Sequence, residues 1–472
     1  MATVLSYAPR TRRATHAFLM LCAVAIAVGA HILVGIGRFQ QVPDDIWIYA
    51  GVFLAFGVLL HVIVCWKAPY ADPVIAPVAV LINGLGVALI ASVDGARQVF
   101  EHKTFGYADR QLMWTALGII LCCVVMLFLR DHRLLRRYTW ISALAGIALL
   151  LMPLLPLIGH EENGSRIWIK IAGFSFQPGE IAKICFAIFF AGYLVSRRDT
   201  LALAGPKLLG IHFPRWRDFG PILVAWVFGL AVLVFETDLG TSLLFFGLFV
   251  AALYIATDRL SWIIIGFVMF VPPAVFAATH ISHVQTRMTC WIDPLARENY
   301  DRCYQVAQGL FGMANGGITG AGLGQGRPNL VPFSWSDFIF STAAEELGLV
   351  GIFAILILYL VLIERAFRTG VGISDGFGKL LAGGLAFVTA LQIFVVIGGI
   401  TRVIPLTGLT LPFMAAGGSS LIANWMIIGL LLRMSDSSRR PDPKPVSPDD
   451  PAVQAALAAQ SLTPPPAGVK AA

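Results

Sequence analysis

Apolar runs of membrane-crossing length recur along this chain, and nothing else in the sequence restricts its fold as strongly. A helix needs roughly 17 to 25 apolar residues to cross a bilayer, and about twelve runs meet that need. They lie near 16–36, 46–66, 73–92, 112–129, 139–158, 179–195, 219–236, 239–256, 261–279, 338–363, 379–400 and 418–432. Hydrophobic residues make up 57% of the chain and charged residues only 13%, with a mean hydropathy of +0.78, which excludes a soluble globular domain. The expected fold is an all-α polytopic membrane protein of about 12 transmembrane helices. Its longest non-spanning stretch, 280–337, separates spans 9 and 10. No small-residue cleavage site and soluble chain follow the first run, so it reads as a retained helix and not a signal peptide.

Basic residues near span ends favour the cytoplasmic side. Arg10, Arg12 and Arg13 precede the first span; Arg130, Arg133, Arg136 and Arg137 follow the fourth; Arg197, Arg198, Lys207, Arg215 and Arg217 follow the sixth. Simple alternation puts all of them on one side, with both termini in the cytoplasm. The same bias accounts for the net charge of +7 and removes nucleic acid as a partner. The chain then divides into a cytoplasmic segment 1–15, a transmembrane domain 16–433 and a tail 434–472. The tail carries SDSSRRPDPKPVSPDDP and is expected to be disordered and cytoplasmic, since nothing in it can bury a core.

Four segments fall outside on this alternation: 159–178, the corner at 236–240, 280–337 and the turn 401–417. They hold most of the residues that look chemical. In the first, Arg166, Trp168 and Lys170 alternate with apolar residues, as an interfacial element would. Glu180 and Lys183 follow Pro178 and share a face of the next span; a structural ion pair and a substrate contact are equally open readings. Asp238 in the corner ETDLG suits a helix cap. In 280–337, Cys290 and Cys303 are two of seven cysteines, the others falling inside spans, and a disulfide between them is one reading in an oxidising compartment. His280 and His283 read as interfacial, and no ligand set for a metal is complete. A glycine-rich run, GGITGAGLGQG, leads to Asp337 at the mouth of the tenth span, with Glu345 and Glu346 about two turns deeper. A carboxylate at a membrane boundary is costly and points to a role there. The small residues of TGLTLPFMAAGGSSL suit close helix packing.

The blocks QPGEIAK, ETDLGTS, GGITGAGLGQG, SDFIFSTAAEELGLVG and TGLTLPFMAAGGSSL, in that order over 163–430, resemble the signatures of the shape, elongation, division and sporulation family, whose members include RodA and FtsW. Two features depart from the usual pattern: Gly179 where serine is common, and Ala415–Ala416 where serine and tyrosine are common. About two extra spans near the N-terminus and the Cys290–Cys303 pair resemble the actinobacterial, RodA-like branch. The resemblance implies a peptidoglycan glycosyltransferase that polymerises lipid II at the outer face of the cytoplasmic membrane. It also implies a class B penicillin-binding protein transpeptidase as partner, within the elongation or division machinery. Asp337 would be the essential carboxylate, and Glu180, Lys183 and Asp238 would line the functional cavity.

Such a transfer needs a base for the acceptor hydroxyl and positive charge for the departing diphosphate. Asp337 is the candidate base. Arg166, Lys183, Arg287 and Arg402 are the outer-side cations for the diphosphate, and a divalent cation, Mg or Mn, is a further candidate for that task. Rival readings are a lipid II flippase or transporter, whose intramembrane acids would relay protons or bind substrate, a division-specific FtsW-like polymerase, and an inactive scaffold for a transpeptidase.

Overall fold

In the computed structural model of the chain, the described residues are 11–156, 159–162, 165–171, 174–202, 207–208, 211–212, 220, 224 and 238–441. The apolar runs form helices: α1 (Arg13–Phe39), α2 (Ile46–Lys67), α3 (Ile75–Glu101), α4 (Tyr107–Phe128), α5 (Thr139–Leu151), α6 (Pro178–Ala202), α7 (Leu239–Thr257), α8 (Ser261–His280), α11 (Ile339–Gly372), α12 (Gly376–Ile400) and α13 (Gly418–Arg439). Two shorter helices, α9 (Ser282–Ile292) and α10 (Tyr304–Gly316), lie between α8 and α11. Among the described residues eleven helices are long and apolar enough to cross a membrane. The run at 219–236 falls almost wholly outside the described residues.

Several boundaries differ from expectation. The run at 139–158 is helical only to Leu151. A 3-10 turn containing Pro153 ends it, because proline cannot donate the next helical hydrogen bond. The chain then forms an antiparallel sheet of β1 (Gly159–Glu162), β2 (Ser165–Ile171) and β3 (Phe174–Phe176), with His160 opposite Trp168 and Lys170 opposite Ser175. The alternation at Arg166, Trp168 and Lys170 is thus the period of a strand. Helix α3 continues past residue 92 to Glu101. Helix α13 takes in SDSSR, the start of the expected tail. Ser435 and Asp436 are buried there, accepting hydrogen bonds from the backbone of Asp72 at 3.0 Å and Tyr70 at 2.9 Å. Residues 442–472 lie outside the described set.

The glycine-rich run and α11 share a hydrogen-bonding arrangement that neither has alone. Helix α11 breaks at Gly348, which has φ 64 and ψ −170, a conformation open in practice only to glycine. An unbroken helix would bond Leu349 N to Glu345 O and Val350 N to Glu346 O. Here Ala321 N and Gly322 N donate to those two carbonyls at 2.9 and 3.0 Å, while Leu349 N and Val350 N donate to the carbonyls of Gly317 and Ile318 at 3.0 and 3.1 Å. The loop fills the break and satisfies these four backbone groups of α11.

The segment 401–417, expected as an outer turn, descends instead into the bundle. Leu409, Leu411, Phe413, Met414 and Ala415 are all buried. Non-helical backbone is tolerated among membrane helices only where protein satisfies it, and polar side chains from the surrounding helices do so. Gln392 donates to Thr410 O at 3.1 Å, Tyr359 to Pro412 O at 2.6 Å, Asn83 to Phe413 O at 3.0 Å and Gln111 to Ala415 O at 2.9 Å. Asn83 sits closer to the Ile75 end of α3 than to its Glu101 end, so Phe413 is well inside the bundle.

A methyl group at Gly348 would meet Gly320 N at 2.2 Å and Ile318 O at 2.6 Å, both backbone atoms of the inserted loop. Gly348→Ala should therefore lower stability by on the order of 3 kcal/mol, read as a lower thermal midpoint in detergent. Gly51→Ala, where the added methyl meets open space, should leave the midpoint unchanged or slightly higher; equal midpoints for the two variants would contradict the insertion.

Candidate active site

Asp337 lies in the turn that enters α11, a turn tightened by bonds from Ser336 N and Phe338 N to Phe333 O at 3.0 and 3.2 Å. Phe333 adopts φ 55 to allow it. The residue as a whole is half-buried, but protein closes round the carboxyl, and burial pushes its pKa up to about 7. The positive charge of Arg287 and a hydrogen bond from Ser336 oppose that rise, and the negative charge of Asp238 adds to it. A carboxyl with this balance exchanges protons near neutrality.

Arg287 is a cation that interacts electrostatically with both acids. It projects from α9, which the Cys290–Cys303 disulfide joins to the start of α10. Burial lowers its pKa, while Asp238 and Asp337 hold it up. Its Nη1 donates to Thr407 O at 2.7 Å. Gly408, at φ 78, leaves room for the guanidinium, since a methyl there would stand 3.1 Å from Nη2. One turn earlier on α9, His283 has its pKa lowered by burial and then by Arg287, so its imidazole is neutral at physiological pH. Its Nε2 is buried with no hydrogen-bond partner among the described residues. Read from sequence as interfacial, His283 belongs to this group.

Asp238 caps α7 as its position suggested: Oδ1 accepts from Gly240 N at 2.9 Å and Thr241 N at 3.1 Å, and Oδ2 from Thr241 Oγ1 at 2.5 Å. Capping does not exhaust its role, because its charge acts on Arg287, His283 and Asp337 alike.

Glu180 and Lys183 form a buried pair with Nζ 2.5 Å from Oε2. Gln392 of α12 completes it, accepting from Lys183 Nζ at 2.9 Å and donating to Glu180 Oε1 at 3.4 Å. Gln392 also holds Thr410 O, so this pair supports the inserted segment from α6. Arg402 makes different use of its charge: Nε and Nη2 donate to the carbonyls of Trp291 and Ile292 at 3.0 and 2.9 Å, and Trp291 Nε1 donates back to Arg402 O at 3.1 Å. Arg402 pins the end of α9. Arg166 belongs to β2, and its side chain lies outside the described set. Trp335, two residues before Asp337, is gripped by groups that the sequence did not single out: Tyr107 stacks on it at 4.6 Å and the Arg97 guanidinium lies 4.1 Å from its ring centre. Among the described residues no three His, Cys, Asp or Glu side chains come together as a metal-ligand set.

Two predictions rest on this geometry. Glu180→Gln leaves a buried ammonium without its counter-ion and should cost about 3–5 kcal/mol; adding Lys183→Met should recover most of the loss, so equal chemical-denaturation midpoints for single and double variants would refute the pairing. For Asp337, whose ordinary pKa is 3.8 and whose folded value is about 7, the folded state holds a proton that the unfolded chain has released. Its contribution to stability therefore falls as pH rises through that window, and Asp337→Asn should gain thermal stability over wild type at about pH 8 but not near pH 4.

The family model for FtsW, RodA and SpoVE, described as cell cycle protein, matches residues 73–440. The chain is 44% identical over 433 residues to the peptidoglycan glycosyltransferase RodA of Mycobacterium tuberculosis, covering 91% of this chain and 92% of that one. It is 32% identical over 374 residues to the stage V sporulation protein E of Bacillus subtilis, covering 78% and 96%. A chain from a structure entitled "Structural coordination of polymerization and crosslinking by a peptidoglycan synthase complex" superposes with a TM-score of 0.63 at 25% identity, covering 79% of this chain and 99% of that chain. RodA of Thermus thermophilus, at 24% identity and a TM-score of 0.54 over 79% and 98% of the two chains, shares the fold. With a match running from before α3 to the end of α13, the chain belongs to the FtsW, RodA and SpoVE family.

Proposed function

We propose that Asp337 is the proton acceptor with which this RodA-type peptidoglycan glycosyltransferase polymerises lipid II during cell elongation. The reaction joins a hydroxyl of the acceptor sugar to the anomeric carbon of a lipid-diphosphate donor, with inversion. The hydroxyl proton passes to the Asp337 carboxylate as the new glycosidic bond forms, and the lipid diphosphate leaves with the electron pair of the broken bond. What supports this reading is a carboxyl whose pKa burial raises to about 7 and which interacts electrostatically with the half-buried Arg287: half ionised at neutral pH, it accepts a proton and returns it to water afterwards. Arg287 supplies positive charge for the departing diphosphate. Lys183 and Arg402 are already engaged, by Glu180 and by carbonyls, and are further candidates, as is Arg166. A divalent cation would have to draw most of its ligands from the diphosphate itself.

The distribution of Arg and Lys supports a topology with both termini in the cytoplasm and Asp337 at the outer face of the cytoplasmic membrane. That is the side on which a lipid-linked precursor would meet a growing glycan strand. A class B penicillin-binding protein transpeptidase is the proposed partner, in line with the synthase complex among the similar structures.

The test supplies lipid II to the protein in vesicles, with and without the transpeptidase. Wild type should make glycan strands at a rate that rises with pH through about 7, and Asp337→Asn should lose on the order of a hundredfold or more. Arg287→Met removes the charge that holds the Asp337 pKa down, so residual activity should move to higher pH. Strands from Asp337→Asn at the wild-type rate would remove it as the acceptor and turn attention to His283. No strands from wild type, with lipid II crossing the vesicle membrane, would favour the flippase.

A further inference from the structure

We infer that Arg38, on a helix that precedes the family-matched region, is a positioning residue for Asp337, acting through the glycine-rich loop; this rests on the glycosyltransferase reading above. The family match begins at residue 73, so α1 and α2 stand outside it. Yet α1 touches the loop directly. A methyl at Gly37 would fall 2.0 Å from Leu323 O, and one at Gly324 would fall 2.4 Å from Val34 O.

Arg38 is the polar centre of that contact, with its side chain 5% exposed. Its Nη2 donates to Gly326 O at 2.8 Å and to Ser92 Oγ at 3.4 Å, and stands 3.7 Å from Glu346 Oε1. Ser92 Oγ donates to the same carboxylate oxygen. Glu346 Oε2 accepts from Gly324 N at 3.1 Å, and the neighbouring Glu345 Oε1 accepts from Arg327 N at 2.9 Å. Residues 324–327 are thus fastened to two adjacent carboxylates of α11, and Arg38 is the cation that ties one of those carboxylates and the loop carbonyl to α1.

From this fastening the chain runs through the short 3-10 turn Pro328–Leu330 to Asp337 and returns to α11 at Ile339. The segment 327–338 is therefore a closed loop, anchored at one end by Glu345 and Glu346 and at the other by the covalent start of the same helix. Moving the anchored end moves Asp337 relative to Arg287. Arg38 touches neither reacting group, so its effect should fall on the geometry of proton transfer and not on substrate capture.

The experiment uses the full-length protein in vesicles with its transpeptidase and lipid II. Three variants separate positioning from charge balance. Arg38→Met should lower kcat about tenfold or more, since misplacing a reacting group by about an ångström has effects of that size, while KM for lipid II stays within about twofold. The three polar contacts described for Arg38 are all made at Nη2, so a single ammonium can replace it, and Arg38→Lys should restore most of kcat. The double variant Arg38→Met with Glu346→Gln removes the buried charge imbalance; its thermal midpoint should return towards wild type while kcat remains low. Wild-type kcat in Arg38→Met or in the double variant would overturn the inference, as would a loss confined to KM. If Arg38→Met does not fold, the double variant and Arg38→Lys still decide the matter. A wild type that makes no strands at all would instead defeat the glycosyltransferase reading.

Discussion

The exchange of backbone hydrogen bonds between residues 317–322 and the break in α11 is the constraint on which the rest of the site depends. A membrane helix interrupted at Gly348 would expose two carbonyls and two amides to an environment without water, a penalty of several kcal/mol for each unsatisfied group. The loop answers all four at 2.9 to 3.1 Å. Each partner is therefore conditional on the other: the loop has no regular structure without the break, and the break is not tolerable without the loop. Asp337 sits between them in sequence, and its position follows from where they lock.

The same accounting explains polar residues that are otherwise out of place in apolar spans. Asn83, Gln111, Tyr359 and Gln392 are all buried, and each donates to a carbonyl of the inserted segment 401–417. Glu180 and Lys183 hold Gln392 in turn. A buried pair of this kind adds little net stability by itself, but here it orients the amide that fixes Thr410. Thr407, three residues earlier, accepts from Arg287. Arg287 and the buried ion pair thus act on one short piece of backbone from opposite ends.

Much of this was legible in the sequence, for definite reasons. Spans were visible because length and apolarity are local properties, and eleven of them correspond to helices among the described residues. Asp238 could be read as a cap because capping depends on adjacent residues, and it does cap α7. Two departures came from long-range packing. The segment 401–417 looked like an outer turn since its glycines, prolines and small residues suit one; its burial depends on side chains as distant as Asn83. His283 looked interfacial because, although Arg287 stands one helical turn later, nothing nearby in sequence reveals that Asp238 also acts on it. Helix α5 stopped early at a proline whose effect could have been weighed against the apolar run around it. Ser92 carried the one available signal, a polar residue at the end of an apolar span, and Arg38, beyond the first span as read from sequence, carried none; neither indicated their common partner Glu346.

Three charges define the electrostatics at Asp337, and their arrangement decides what the acid can do. Burial alone would keep it protonated and inert as a base; a cation in close contact alone would hold it ionised and weakly basic. Arg287 interacts with both Asp238 and Asp337, so at Asp337 it offsets the effect of burial only in part, and the pKa rises to about 7. A diphosphate approaching Arg287 would draw its charge away from Asp337, raising the affinity of the carboxylate for a proton just when a donor is in place. Substrate binding would then raise the proton affinity of the carboxylate while leaving less of it ionised at neutral pH, which favours the reaction above pH 7.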